Sequence, residues 1–156
     1  MLAALISVLA LAGAPQATSV TCNPQIANSG ELGVTFPAYV TVVGGKVVNG
    51  PLTLIVLGGE ACGALLYASS SPAERAAIRR LNPSVDFHHL VGEGLQVALH
   101  EAEHVALNSG DECLVEKTAR GKIDGLLSSV DPAGAAADER AATASDAALP
   151  PAYHGC

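Results

Sequence analysis

The chain has no tryptophan, two phenylalanines, three tyrosines and one methionine among its 156 residues. An aromatic content of 3% leaves leucine, valine, isoleucine and alanine to build the core. Positive charge is also scarce. Eight lysines and arginines stand against fifteen aspartates and glutamates, for a formal net charge of −7. That balance argues against nucleic acid and anionic membrane surfaces as partners, because both need a concentrated basic face. The only basic cluster, Arg75, Arg79 and Arg80, reads as one face of a short solvated helix. No C-x-x-C pair occurs, which disfavours a cysteine zinc site or a thioredoxin-like redox motif. The glycine pairs at 44–45 and 58–59 punctuate turns and lack the spacing of phosphate-binding loops. There is no internal repeat, and beyond the N-terminus no apolar run is long enough to span a bilayer.

What is present suits one compact domain, with a hydrophobic content of 49%. Residues 1–14 are apolar and end in Ala12-Gly13-Ala14. They predict a signal peptide over residues 1–17, or an uncleaved N-terminal anchor, and hence an exported protein, secreted or at the cell surface. Pro15 hinders cleavage after Ala14 and moves the expected site toward Ala17. Cys22, Cys62, Cys113 and Cys156 then suggest two disulfides. Of the three connectivities, Cys62–Cys113 together with Cys22–Cys156 is favoured.

Residues 18–35 are polar and turn-rich, without periodicity. Two β-branched runs, 38–43 and 52–57, are separated by turn signals and predict an antiparallel hairpin or meander. Residues 72–81 read as a short helix with Ser71 as N-cap and Pro72 at its first position. From Leu90 to Leu107 the apolar residues Val91, Leu95, Ala98, Leu99, Ala102 and Val105 recur at helical spacing. A second helical pattern runs from about Glu112 to Val130. The short break at Asn108-Ser-Gly-Asp111 makes the two an antiparallel helical hairpin. The expected fold is therefore α+β, the hairpin packed on a short antiparallel sheet over residues 18–130. Residues 131–156 form an alanine-rich tail, either a weak helix near 137–149 or a linker.

The hairpin carries the chemistry. His100-Glu-Ala-Glu-His104 places two imidazoles four apart on one helix face, within reach of one zinc ion. Glu101 then lies beside the metal as general base, where it can accept a proton from water activated by zinc. Glu103 reads as solvated charge. A catalytic zinc needs a third protein ligand. The three-histidine pattern H-E-x-x-H-x-x-G-x-x-H is excluded, because Leu107 and Gly110 occupy its glycine and final histidine positions. Asp111, Glu112 and Glu116 are the candidates. Ser109 and Glu112 match a capping box, and Asp111 complements the helix dipole. Glu116 lies one turn into the second helix, opposite His104, and has no such local role. The metal ligands are thus read as His100, His104 and Glu116, with Glu112 as alternative ligand or supporting residue. His88 and His89 are vicinal and read as a surface loop.

His100-Glu-Ala-Glu-His104 followed by Glu116-Lys-Thr-Ala119 resembles the gluzincin group of zinc peptidases, including ImmA/IrrE-like peptidases and small secreted zincin-like proteins. The resemblance spans about Leu95–Ala119. It implies zinc as cofactor, a peptide or protein substrate, His100, His104 and Glu116 as ligands, and Glu101 as general base. It also implies a strand that pairs with extended substrate, for which Leu52–Leu57 is the candidate, and an oxyanion donor, for which Tyr153 and His154 are candidates. The resulting expectation is an exported zinc metallopeptidase. The alternative is a non-catalytic secreted module, zinc-binding or merely stapled by disulfides.

Overall fold

The computed structural model describes residues 19–29 and 32–148. The signal or anchor segment, Tyr153, His154 and Cys156 lie outside the described residues. The fold is α+β. Strands β1 (Ser19–Cys22), β2 (Gly33–Pro37), β3 (Val40–Val43), β4 (Lys46–Asn49) and β5 (Leu52–Leu57) come first. Helices α1 (Gly59–Ser69), α2 (Pro72–Leu81), α3 (Phe87–Leu107), α4 (Glu112–Val130) and α5 (Ala135–Ala148) follow. Among the described residues no helix is long and apolar enough to cross a membrane.

β5 is the middle strand of a three-stranded sheet, parallel to β1 on one side and antiparallel to β2 on the other. Its alternation sends Ile55 and Leu57 fully into the core. Because both of its edges are paired, Leu52–Leu57 has no edge left for an extended substrate, contrary to expectation. The 38–43 run does not pair with β5 either. β3 pairs with β4 through a two-residue turn at Gly44-Gly45, both with positive φ (57° and 77°). Hydrogen bonds from Ala38 N to Pro51 O and from Gly50 N to Tyr39 O join this ribbon to the β2–β5 pair. The result is one long hairpin, bent at Phe36/Pro37. β1 and β2, absent from the sequence reading, form because the apolar β5 supplies the pairing that their own short, mixed patterns do not advertise.

α3 is the hub, with α1, α4, α5 and the sheet packed around it. Two interior glycines allow the close crossings. A Cβ on Gly92 would lie 2.2 Å from the Asp138 carbonyl oxygen of α5, and one on Gly94 would lie 2.5 Å from Ala64 Cβ of α1. Leu95, Leu99 and Ala102 of α3 and Val115, Ala119 and Leu127 of α4 are buried. The alanine-rich segment forms a helix that buries Ala142 and Asp138 against the core.

Local signals behaved as read in α2. Ser71 caps it in a full capping box with Glu74, and Pro72 starts it. Its arginines, expected to be solvated, are put to use. Arg79 stacks over Tyr67 and Phe87 and pairs with Asp131, and Arg75 hydrogen-bonds the carbonyls of Ala68 and Ser70.

The disulfide pairing differs from the favoured one. Cys22 bonds Cys62, because the parallel β1–β5 register sets Cys22 opposite Leu57, just before α1. Cys113 is also disulfide-bonded.

Candidate metal centre

α3 and α4 meet as an antiparallel pair across a tight turn. Asn108 ends α3 in the left-handed region (φ 45°), a conformation asparagine tolerates better than most residues. Its side-chain oxygen accepts from Leu52 N, tying the start of β5 to the end of α3. α4 then begins two residues later than a Ser109 cap would set it. Asp111 is the N-cap, accepting from Leu114 N, and Ser109 Oγ accepts from Asp111 N. The expected Ser109–Glu112 capping box is therefore not formed. Glu112, relieved of that role, turns toward the histidines.

The two imidazoles are held from behind. His100 Nδ1 lies 2.7 Å from Glu116 Oε2, and His104 Nδ1 lies 2.7 Å from the Ser109 carbonyl oxygen. An ionised carboxylate and a carbonyl only accept, so both Nδ1 atoms carry the proton in the neutral rings. Both Nε2 atoms are then bare lone pairs, and they face each other at 3.2 Å. Glu112 Oε2 completes the group, 3.1 Å from His100 Nε2 and 3.3 Å from His104 Nε2. With both rings neutral, two nitrogen lone pairs and the Glu112 oxygen converge on one point. Such an arrangement is stabilised by a cation, and His100, His104 and Glu112 form a candidate metal-binding group.

Glu116 sits elsewhere. It is 2% exposed on α4, with Oε2 on His100 Nδ1 and with Oε1 accepting from Gln96 Nε2 (3.0 Å) and Arg120 Nε (2.7 Å). The structure thus sets Glu116 against His100 Nδ1 and Glu112 beside the two Nε2 atoms, where the sequence reading had placed Glu116. Glu112 lies in the first turn of α4, beside the end of α3, and is not held in a capping box with Ser109.

Glu101 is 6% exposed and faces β2. Thr35 Oγ1 donates to its Oε2 at 2.6 Å. Gly33 leaves the space it fills, since a Cβ there would lie 2.7 Å from Glu101 Cγ. Burial raises the Glu101 carboxyl above the usual carboxylate range, and the Thr35 hydrogen bond only partly offsets it. For His100, burial works against the charged form. The Glu116 hydrogen bond and the nearby carboxylates of Glu101, Glu116 and Glu112 outweigh it and hold the imidazole above its ordinary value. For Glu116, burial works upward, but His100 and Arg120 prevail and keep the carboxyl below its ordinary value.

Glu103, expected in solvent, is 1% exposed and paired with Lys122 Nζ of α4 at 2.6 Å. His88 and His89 lie in the first turn of α3, capped by Asp86, not in a loop. Gln96 and Arg120 had a sequence signal, each standing one helical turn from a predicted ligand. Thr35 and Gly33 had none, because 66 residues separate Thr35 from Glu101. No protein family, curated protein or solved structure matches the chain.

Proposed function

We propose that this protein is an exported zinc metallopeptidase, with His100, His104 and Glu112 as ligands and Glu101 as general base. The observation that carries the reading is the convergence of His100 Nε2, His104 Nε2 and Glu112 Oε2, 3.1 to 3.3 Å apart. Tetrahedral zinc with ligands at about 2.0–2.1 Å requires donors separated by about 3.3 Å, so the triangle fits. The donor set also fits zinc chemically, as two imidazoles and a carboxylate, each histidine oriented through its other nitrogen. Bound there, zinc would supply Lewis acidity, polarising a peptide carbonyl and acidifying water.

The chain's own residues supply the rest. Glu101, with Oε2 held by Thr35, takes the proton from the attacking water and returns it to the leaving amine. Glu116 fixes the tautomer and ring orientation of His100, and the Ser109 carbonyl does the same for His104. Glu112 is the exposed member of the group, its side chain at 46%, which leaves the site open to substrate on that side. β2 is the outer strand beside Glu101 and takes the substrate-pairing role expected of Leu52–Leu57. The Cys22–Cys62 disulfide supports export to an oxidising compartment.

The test is metal analysis of the purified protein together with cleavage of casein or a peptide library. One zinc equivalent that depends on His100 and His104, together with turnover, is expected. Glu101→Gln should keep the zinc and lose about 100-fold or more of the turnover. Zinc without turnover across such a library would favour the non-catalytic module, and absence of zinc would remove the reading altogether.

A further inference from the structure

The geometry points to a second zinc site at the opposite end of α3, built from His88, Asp131 and Asp138. These three residues offer ligand atoms within 4.8 Å of one another. They come from three elements: His88 from the first turn of α3, Asp131 from the C-cap of α4, and Asp138 from the first turn of α5. His88 lies twelve or more residues before the first site, about 18 Å or more along the helix, so the two sites share no ligand.

Asp138 carries the argument. It is 0% exposed, yet only Oδ1 has a partner, His88 Nδ1 at 2.6 Å, and Oδ2 has none. A buried carboxylate oxygen with no donor is costly, and the neighbouring groups do not relieve it. A Cβ on Gly134 would fall 2.6 Å from Asp131 Oδ2 and 3.0 Å from His88 Cε1, so only a glycine there lets those two side chains come this close together. His88 is 43% exposed, which gives an ion a way in from solvent.

Two donors already engage Asp131. Arg79 donates to Asp131 Oδ2, and Gly134 N donates to Asp131 Oδ1. Each carboxylate oxygen has a second lone pair, so Asp131 can ligate without releasing either donor. The imidazole nitrogen and two carboxylates make a set that suits zinc. On ligating through Nδ1, His88 takes its Nε2–H tautomer, the Nδ1 proton going to solvent and Nε2 gaining one from it. The ion takes the place of the hydrogen bond to Asp138. Its role is structural, fastening α5 to the hub helix where Gly92 brings the two backbones together.

The probe is Zn²⁺ titrated into chelator-stripped, disulfide-intact protein, followed by calorimetry and metal analysis. Wild type should take two equivalents. His100→Ala/His104→Ala should take one, and adding His88→Asn and Asp138→Asn should reduce that to none. A folded His100→Ala/His104→Ala protein that takes no zinc overturns the proposal. So does an ion that survives all four substitutions, which would assign it to the surface group of Glu60, His89 and Glu93. Should the histidine variant not fold, the wild type decides by NMR. The His88 ring resonances must shift with one of the zinc equivalents, and rings that do not respond overturn the site. Because the second site is read without the first, failure of the peptidase reading would appear separately, as wild type taking one ion that depends only on His88 and Asp138.

Discussion

Glu112 and Glu116 stand one helical turn apart on α4, and exchanging their assignments would change the chemistry, so their substitution is the most informative perturbation. Glu116→Gln preserves shape but not hydrogen bonding. Oε1 receives hydrogen bonds from Gln96 Nε2 and Arg120 Nε, while Oε2 faces the His100 Nδ1 proton. A glutamine has one acceptor and one donor end, so either orientation sets its amide NH₂ against a donor. The loss is that of a charge-assisted hydrogen bond, about 1.5–3 kcal/mol. For partners that support a metal-ligating histidine, this corresponds to about 10- to 100-fold in metal affinity. Glu112→Ala removes a donor outright and should exceed that range. The assay is competition with a chromophoric zinc chelator at neutral pH on the folded variants. The expected order of affinity is wild type, then Glu116→Gln, then Glu112→Ala. If Glu112→Ala matches wild type while Glu116→Gln loses the zinc equivalent that depends on His100 and His104, the assignment is reversed and the lone-pair argument is wrong.

Three further predictions follow from the same geometry. Gly33→Ala puts a methyl 2.7 Å from Glu101 Cγ and displaces the carboxylate from Thr35, so turnover should fall by about 100-fold while zinc content stays at wild-type level; loss of zinc would refute the separation of base and ligands. In metal-free protein, Glu116 has its folded value lowered, so its contribution to stability is present above the ordinary carboxylate value and fades as pH falls through the lowered one. His100 has its folded value raised, so its contribution is complete below the ordinary histidine value and fades as pH rises through the raised one. Denaturant titrations in chelator across pH should therefore show both limbs in wild type and flatter limbs in Glu116→Gln, and identical profiles would refute the pairing. Replacing both Cys22 and Cys62 with serine opens a loop with a sequence separation of 40 and should lower unfolding free energy by about 4 kcal/mol, measured by urea unfolding; an unchanged midpoint would contradict it.

Sequence and structure divide along physical lines. The helix pair, its antiparallel sense and the Ser71 cap of α2 were legible because they rest on 3.6-residue periodicity and on residues a few positions apart. α1 was not read, since it begins at glycine and is apolar around much of its circumference, with Ala61, Cys62, Ala64, Leu65 and Tyr67 all buried. Periodicity cannot signal a helix that has no polar face. β1 and β2 were missed because short strands take their stability from the partner, here the apolar β5. The disulfide depended on the parallel register of β1 against β5, which no spacing of cysteines encodes.

The candidate site shows the same division within a few residues. His100, Glu101 and His104 were determined by the sequence itself, because four residues of helix bring the two imidazoles to one face whatever surrounds them. The partners of that face were decided by tertiary structure. With Asp111 instead of Ser109 as cap, Glu112 is left out of a capping box and reaches the Nε2 atoms, while Glu116, one turn on, lies behind His100. The fold of β2 against α3 supplied Thr35 and the opening at Gly33 to Glu101. Two local choices compete at that helix start with similar energies, so packing against α3, and not propensity, selects the one that makes the site.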